Sequence, residues 1–410
     1  MDTLYKTPTA GQRLRSSPLG PWLDTFVTRL ADRGYPPGSR RSYVVLAADL
    51  GRWMAEQGHD VSALDESLID DYVERRRTQR DRRRVAALHA LAHLRDEGVA
   101  PPRPVSRELS PLDDVCLGYE AHLRDERGAS AGTIEGYLAV VVSFLTQRFG
   151  TEPLELEALT GEDVGRFLLA RADELSPKRL DYLACSLRSF LRYLFARGSI
   201  SRDLSAAALG AQKRHPAGLP CHLEPAEVEK LLSTADPGTP GGSRDRAILL
   251  LLVRLGLRAG EVAALELDDI RWKSGEIVVR GKGDVFDRLP LPPDVGEALA
   301  HYLVHNRPKN ASRRVFLRLC APIRGLCGRG AISTMVRTRL RRAGLHPGRT
   351  GAHVLRHTLG TNLIRSGATL TEIGEVLRHH APRSAEIYAR VDLESLRALA
   401  LPWPAEGGVR

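Results

Sequence analysis

GAHVLRHTLGTNLIRSGATLTEIGEVLRHHAPRSAEIYARV, residues 351–391, is the stretch around which the rest of the chain is organised. His353 and Arg356 stand three residues apart, a spacing that places both side chains on one face of a helix. His379 follows after two amphipathic segments, and Tyr388 comes nine residues later in a short polar segment. This arrangement predicts a site in which cationic and proton-transferring side chains surround a tyrosine.

Two upstream segments add a second arginine and a lysine to this set. Arg258 lies in the turn GLRAGE, and Lys282 lies in VVRGKGDVFDRLPLP, where alternating apolar residues around a Gly/Asp turn predict a β-hairpin. Arginine offers a planar fork that matches phosphate oxygens, lysine can give up a proton, and tyrosine can act as a nucleophile. The residues together favour phosphoryl transfer without a metal ion.

Composition limits the class of protein. The chain has 410 residues, enough for two or three domains, and a net charge of +10, which favours a polyanionic partner. No apolar run reaches the ~20 residues of a membrane span, and the N-terminus lacks the apolar region of a secretory signal. Five scattered cysteines without a CxxC pair favour a reducing cytoplasm, with neither disulfide framework nor zinc site.

The first half of the chain contains a repeated helical pattern. We predict two tandem four-helix modules, at residues 19–104 and 110–200, separated by a proline-rich break. The matched positions, at offsets that increase slowly along the chain, are Tyr43 with Tyr137, Leu64 with Leu159, Tyr72 with Phe167, and Gly98 with Gly198.

The remaining boundaries follow from composition and from a change in periodicity at Leu223. We predict a flexible tail over residues 1–18, a linker rich in Ala, Gly and Pro over 201–222, a catalytic domain over 223–393 and a C-terminal tail over 394–410.

Basic residues concentrate in ERRRTQRDRRR, residues 74–84. One interpretation is a solvated helix end whose arginines pair with the interspersed Glu74 and Asp81. The other, which we favour, is contact with the phosphates of duplex DNA. The candidate DNA-binding residues are Arg75, Arg76, Arg77, Arg80, Arg82, Arg83, Arg84 and, in the linker, Lys213 and Arg214.

The order GLRxxE, hairpin lysine, HxLRH, histidine and tyrosine resembles the tyrosine recombinase (phage integrase) family. The resemblance covers roughly residues 110–393 and is most specific over 243–391. It implies a mainly α fold with a small antiparallel sheet (α+β), in which SAM-like helical DNA-binding modules precede an integrase-type catalytic domain. The first module would be a degenerate second copy of the core-binding module, or an arm-type DNA-binding domain.

The resemblance also assigns roles. Tyr388 would attack a DNA phosphorus, forming a 3′-phosphotyrosyl bond and releasing a 5′-hydroxyl, while Arg258 and Arg356 neutralise the non-bridging oxygens. Lys282 would be the general acid. His353 would bind phosphate or accept the nucleophile's proton, and His379 would donate to a phosphate oxygen.

The pattern also points to residues that would support the catalytic ones. Glu261, three residues after Arg258, is expected to orient that guanidinium, although it could be an ordinary surface glutamate. His357 and His380 lie close to the two candidate histidines but do not match the expected spacing, and we expect His357 to be a packing residue. Arg378 stands where the family commonly has glycine before the histidine.

We therefore expect a site-specific recombinase or integrase of a mobile element, which cuts and rejoins duplex DNA in a homo-tetrameric synapse, with or without related recombinases. It would need no cofactor, metal or ATP, would contact no membrane, and would be cytoplasmic and nucleoid-associated in a prokaryote. The alternatives are a type IB-like topoisomerase and a non-cutting accessory subunit of a recombinase set. The duplicated N-terminal modules favour recognition of specific DNA sites over a topoisomerase. A suitable residue stands at each of the six catalytic positions, which favours cleavage over DNA binding alone.

Overall fold

The structure is a computed structural model, in which the chain divides into two units. One unit combines residues 1–101 with 218–410, and the other comprises residues 102–217. The structure describes residues 8–76, 80–102, 110–150, 153–210, 221–281, 286–378 and 386–389, without the side chains of 8–10, 80, 386 and 389.

The N-terminal module has its own hydrophobic core. Its helices are α1 (Pro8–Arg15), α2 (Gly20–Asp32), α3 (Pro37–Glu56), α4 (Glu66–Arg75) and α5 (Arg80–Asp96). The prediction of a flexible tail over residues 1–18 is wrong for its second half. Leu14 and Leu19 are buried in the core of the module, and the Arg15 guanidinium pairs with Asp24 at 3.0 Å.

Residues 102–217 contain the second helical module. Its helices are α6 (Pro111–Ala121), α7 (Ala131–Phe149), α8 (Gly161–Leu169) and α9 (Pro177–Ala196). The start of the predicted linker at residue 201 is too early, because Ser205 and Ala208 are buried and Leu204 packs against the core of this module. Lys213 and Arg214 lie outside the described residues.

The two modules repeat the same local structure. In each, a long helix (α3 or α7) is followed by a 3-10 turn and a short helix (α4 or α8) whose first turn is capped by Asp65 or Thr160. Gly98 and Gly198 adopt φ values of +72° and +69° after the last helix, a conformation that favours glycine. These shared features favour the tandem duplication predicted from the sequence.

The C-terminal part of the first unit is mainly helical, with a three-stranded antiparallel sheet in the order β1-β2-β3. Its elements are α10 (Pro225–Ser233), α11 (Pro240–Arg254), α12 (Ala259–Ala264), β1 (Ile270–Arg271), β2 (Glu276–Arg280), β3 (Phe286–Pro290), α13 (Pro293–His301), α14 (Gly328–Arg342), α15 (Ala352–Arg365), α16 (Leu370–Val376) and α17 (Glu386–Ala389). The predicted fold class, mainly α with a small antiparallel sheet, is confirmed.

Helix α11 forms the centre of this C-terminal core. Its run AILLLLV is buried on every side because α10, α13, α14 and α15 pack around it. Burial of so many aliphatic side chains fixes where α11 ends, and therefore where the GLRAGE turn begins. The sheet lies beside this core, with Val279 of β2 paired in register with Asp287 of β3.

The N-terminal module contacts the C-terminal part within the first unit. The backbone N–H of Ile323 donates to the carbonyl of Arg33 at 2.9 Å, and the Ile323 side chain lies against Gly34. A Cβ at Gly34, where φ is +80°, would come within 2.3 Å of Ile323. None of the helices in the described part of the chain is both long enough and apolar enough to cross a bilayer.

Candidate active site

Arg258 stands at the start of a short helix and is held there by a carboxylate. It is the N-cap residue of α12, and Glu261 in the first turn is buried. Glu261 accepts from the backbone N–H of Arg258 at 2.8 Å and from Nη1 of Arg258 at 2.7 Å. The same carboxylate thus caps the helix and orients the guanidinium, which keeps 35% of the Arg258 side chain exposed. This is the position that the sequence predicted for Glu261.

Arg356 occupies a buried position on α15. Its Nη1 donates to the carbonyl of Gly256 and its Nη2 donates to the carbonyl of Leu377. Burial, followed by the nearby charges of Arg258 and Arg378, lowers the pKa of Arg356 to about 10. The guanidinium therefore stays charged at neutral pH, close to that of Arg258.

The end of helix α16 connects the two arginines. Leu377 is its C-cap residue, and the carbonyl of the following residue, Arg378, accepts from Nη2 of Arg258 at 3.0 Å. Consecutive carbonyls at the negative end of a helix thus bind Arg356 and Arg258. Gly256 must approach this helix end closely, because a Cβ there would lie 2.7 Å from Leu377.

Arg378 is the site residue that the sequence did not identify. Its side chain is buried, and its Nη2 donates to Oε2 of Glu261 at 2.8 Å. Its Nε lies 3.7 Å from Oδ2 of Asp287, an ion pair beyond hydrogen-bond distance. Glu261 is consequently shared by two arginines. The signal in the sequence was an arginine at a position where the family commonly has glycine. The contacts of Arg378 join residues that are too far apart in the chain for a sequence pattern to predict.

Tyr388 lies in a closed pocket on the short helix α17. The side chain is 1% exposed and its ring rests against Gly360 of α15. Ile364, Ile373 and Leu377 complete a small hydrophobic cluster around it. Burial raises the pKa of Tyr388 to about 12, although the charge of Arg356 opposes this rise. The hydroxyl is therefore protonated in this position.

His357 contacts the tyrosine hydroxyl, which corrects its assignment as a packing residue. Nδ1 of His357 lies 3.1 Å from Oη of Tyr388. Burial, together with the charges of His353, Arg349 and Arg356, lowers the pKa of His357 to about 4. The ring is neutral at physiological pH, so Nδ1 accepts from the phenol in the Nε2–H tautomer and donates to the phenol oxygen in the Nδ1–H tautomer. His353 is exposed in the first turn of α15, with its ring centroid 6.5 Å from that of His357.

Known proteins resemble this chain over most of its length. A model of the Phage integrase family matches residues 222–395. The putative integrase/recombinase y4rA of Sinorhizobium fredii is 42% identical over 394 residues, which is 95% of each chain. The tyrosine recombinase XerD of Listeria innocua is 34% identical over 287 residues, or 68% of this chain and 95% of the relative. The chain belongs to the tyrosine recombinase (phage integrase) family. As a member of this family, it is a site-specific DNA recombinase.

Solved structures support the fold of this tyrosine recombinase. A crystal structure of the XerH site-specific recombinase bound to palindromic difH substrate has a TM-score of 0.54 at 19% identity, covering 73% of this chain and 98% of that one. A lambda integrase dimer bound to a COC′ core site has a TM-score of 0.51 at 20% identity, covering 67% and 94%. About a third of this recombinase lies outside the alignment with XerD, whereas the alignment with y4rA covers nearly the whole of both chains.

Two predicted catalytic residues of the recombinase lie outside the described residues. Lys282 belongs to the connection between β2 and β3, and His379 follows Arg378 directly in the chain. His380 and the predicted tail over 394–410 also lie outside them. The structure thus brings together Arg258, Glu261, Arg356 and Tyr388 from the predicted set.

The arginine-rich segment of the recombinase has internal partners at several positions. Arg83 donates to Asp49 and, at 2.7 Å, to the hydroxyl of Tyr72, so it belongs to a partly buried network within the module. Partners also exist for three exposed or half-buried candidates: Arg75 with Gln57, Arg76 with Asp49 at 3.7 Å, and Arg84 with Asp70. Arg82 is exposed. Arg77 and the side chain of Arg80 lie outside the described residues. DNA contact by this segment stays a prediction.

Proposed function

We propose that Tyr388 cleaves one strand of duplex DNA while Arg258 and Arg356 hold the scissile phosphate. The observation that carries this proposal is the convergence of the three side chains. The two guanidiniums are bound to consecutive carbonyls of one helix end, and the charge of Arg356 acts on the phenol of Tyr388. Forked cations beside a tyrosine hydroxyl suit a phosphodiester, whose two non-bridging oxygens share one negative charge.

In the proposed step, Oη of Tyr388 forms a bond to phosphorus and the bond from phosphorus to the 5′-oxygen breaks. Lys282 gives a proton to the leaving 5′-oxygen. The phenol proton passes to His353, or to solvent water when His353 instead binds a phosphate oxygen. His379 donates to a non-bridging oxygen. The 3′-phosphotyrosyl link conserves the phosphoester, so a 5′-hydroxyl from a partner strand reverses the step without ATP. The arginine charges do the work that metal ions do in other phosphoryl-transfer sites.

Tyr388 must leave its pocket before it can react. The side chain of Tyr388 is 1% exposed and its hydroxyl is hydrogen-bonded to His357, so a DNA phosphorus atom cannot reach the oxygen in this position. We propose that displacement of α17 from Gly360 precedes cleavage. The arginine pair is already assembled in the same structure, so the nucleophile is the component whose position limits the reaction.

We further propose that the recombinase acts on two DNA sites in a homo-tetramer, with or without related recombinases, and serves integration or transposition of a mobile element. The relative y4rA, a putative integrase/recombinase, is similar over nearly the whole chain and favours this role. The net charge of +10 suits a protein that resides on the nucleoid in the cytoplasm of a prokaryote.

Nuclease protection followed by a covalent-trapping assay tests the proposed function. DNA flanking the gene is first digested in the presence of the protein, and a protected inverted repeat is then synthesised with a nick beside the scissile phosphate. Loss of the short 5′-hydroxyl fragment traps the adduct. Wild type in EDTA without ATP should give a covalent adduct at residue 388, and Tyr388→Phe should give none.

The same assay separates the competing functions. Protection without any adduct from wild type would indicate a non-cutting accessory subunit. Relaxation of a supercoiled plasmid that lacks the protected repeat, at the rate seen with the repeat, would indicate a topoisomerase. An adduct that persists in Tyr388→Phe would refute the assignment of the nucleophile.

A further inference from the structure

The backbone at Arg378 adopts a conformation that favours glycine. Its φ is +52°, and among the described residues it is the non-glycine residue with a positive φ. An L side chain is crowded there, because Cβ approaches the following carbonyl. Glycine would meet the backbone requirement without this strain. An arginine at this position therefore raises the question of what its side chain does.

The Arg378 guanidinium lies between two carboxylates from different elements. It donates to Glu261 of α12 at 2.8 Å and faces Asp287 of β3 at 3.7 Å. Its side chain is 5% exposed, and in the described part of the chain Nε and Nη1 are buried without a hydrogen-bond partner. Buried guanidinium donors are normally satisfied, so the group is held here by charge more than by complete hydrogen bonding.

The charges around Arg378 form one connected cluster. Glu261 binds both Arg258 and Arg378, and the charges of both arginines act on Arg356. With Asp287, three guanidiniums and two carboxylates leave one excess positive charge. One phosphodiester would balance the excess charge of these five groups.

We propose that Arg378 is a positioning residue for strand cleavage, whose guanidinium joins Glu261 to Asp287 and so fixes Arg258 relative to the β2–β3 hairpin. The inference rests on the proposed function and goes beyond it, since it adds a third arginine to the machinery. Glycine at this position would keep the turn and its carbonyl contact with Arg258. It would remove the link between the hairpin strand and the carboxylate that orients Arg258.

Two substitutions at Arg378 test the proposal in the full-length protein. Arg378→Gly relieves the backbone strain, so a soluble folded protein is expected. We expect single-turnover adduct formation on the nicked site to fall about 10- to 100-fold, because an ångström of misplacement has that effect. Affinity for the site should stay unchanged. Arg378→Lys should restore part of the rate, since an ammonium can bind one carboxylate but lacks the fork for two.

A double-mutant cycle with Asp287 and a matched control complete the experiment. Asp287→Asn should slow cleavage, and combining it with Arg378→Gly should give no further loss, because both changes break one link. Arg313→Gln removes an exposed arginine paired with Asp268 in the same domain and should cleave at the wild-type rate.

Several results would overturn the proposal. Wild-type cleavage by Arg378→Gly would show that the backbone conformation alone matters, and equal losses in rate and affinity would indicate a merely structural role. Additive losses from Arg378→Gly and Asp287→Asn would show that the two residues act independently, which would contradict the proposed link to Asp287. Wild type and Tyr388→Phe run in parallel, so absence of any wild-type adduct identifies failure of the proposed function itself.

Discussion

Oη of Tyr388 lies 3.1 Å from Nδ1 of His357, and both side chains are buried enough to be uncharged at neutral pH. The phenol has a pKa of about 12 and the imidazole one of about 4, in both cases chiefly because of burial. The pair is therefore a neutral hydrogen bond. Under the proposed mechanism, this pair holds the nucleophile in a buried, protonated form near the charge of Arg356.

Gly360→Ala should release the stored tyrosine. A Cβ at residue 360 would lie 2.4 Å from Cζ and 2.5 Å from Cε1 of Tyr388, so the ring cannot keep its position. We expect adduct formation on the nicked site to become roughly tenfold faster, because the pocket state is disfavoured relative to the exposed state. The measurement is single-turnover trapping at saturating DNA.

Gly374→Ala is the matched control for this change. Gly374 also lies within a helix, α16, but a Cβ there meets no atom within 4 Å. Both alanines raise helix propensity, so only the clash with the tyrosine differs. Slower trapping by Gly360→Ala than by Gly374→Ala would contradict the proposed displacement of α17.

His357 should make the stability of the protein depend on pH. Its pKa is about 4 in the folded protein and near 6.5 in an unfolded chain, so between these values the unfolded state binds more protons. The free energy of unfolding should therefore fall as pH decreases from 6.5 to 4, by up to about 3 kcal/mol from this residue.

The check is urea unfolding of wild type and His357→Gln at several pH values. Glutamine keeps a polar group near the phenol but does not titrate, so its stability should change less over this range. Parallel curves for the two proteins would show that the buried imidazole does not cause the pH dependence.

Glu261→Gln should reduce both stability and cleavage. The change leaves the buried Arg378 guanidinium facing an amide, and loss of one partner of a buried ion pair costs about 3–5 kcal/mol. Arg258 loses its orienting charge as well, so trapping should slow about 100-fold or more. Glu227→Gln is a suitable control, because Glu227 also caps a helix, α10, by accepting from the backbone N–H of Glu224 at 2.9 Å. Equal unfolding and trapping results for the two variants would contradict the role of Glu261.

Substitutions at Arg82 and Arg83 should distinguish arginines that bind DNA from arginines that stabilise the fold in the arginine-rich segment. Arg82→Gln should leave unfolding unchanged and lower the slope of log K against log salt by about 1, as loss of one phosphate contact does. Arg83→Gln should destabilise the protein by about 3 kcal/mol, because it leaves Asp49 without its closest cation. If the slope of log K against log salt is unchanged in Arg82→Gln, Arg82 does not contact a DNA phosphate.

Local sequence was sufficient where the contacts are local. Glu261 follows Arg258 by three residues and starts the same helix, so the capping pair could be predicted from the turn alone. The predicted duplication rests on positions such as the buried Tyr72 and Phe167 and the glycines Gly98 and Gly198, which recur at offsets of 95 and 100 residues. The predicted fold class came from the resemblance to the tyrosine recombinase family, together with the helical periodicity and the hairpin pattern.

The rest could not be predicted because it depends on contacts between distant segments. His357 meets Tyr388 across 31 residues, and Arg378 meets Glu261 across 117. A sequence pattern does not indicate which distant residues lie close together in the fold, so it could not predict the contact between His357 and the Tyr388 hydroxyl. Helix α1 was missed for a related reason, since Leu14 is buried in a core that residues of α2 and α3 also form.

The carbonyls of Leu377 and Arg378, consecutive residues at the end of α16, bind Arg356 and Arg258, so the separation of the two guanidiniums depends on two adjoining peptide units. A shift of that helix end would displace both guanidiniums together. The tyrosine travels on a separate four-residue helix. Under the proposed mechanism, phosphate binding and attack by Tyr388 therefore depend on different elements, so that a complex could assemble before any strand is broken.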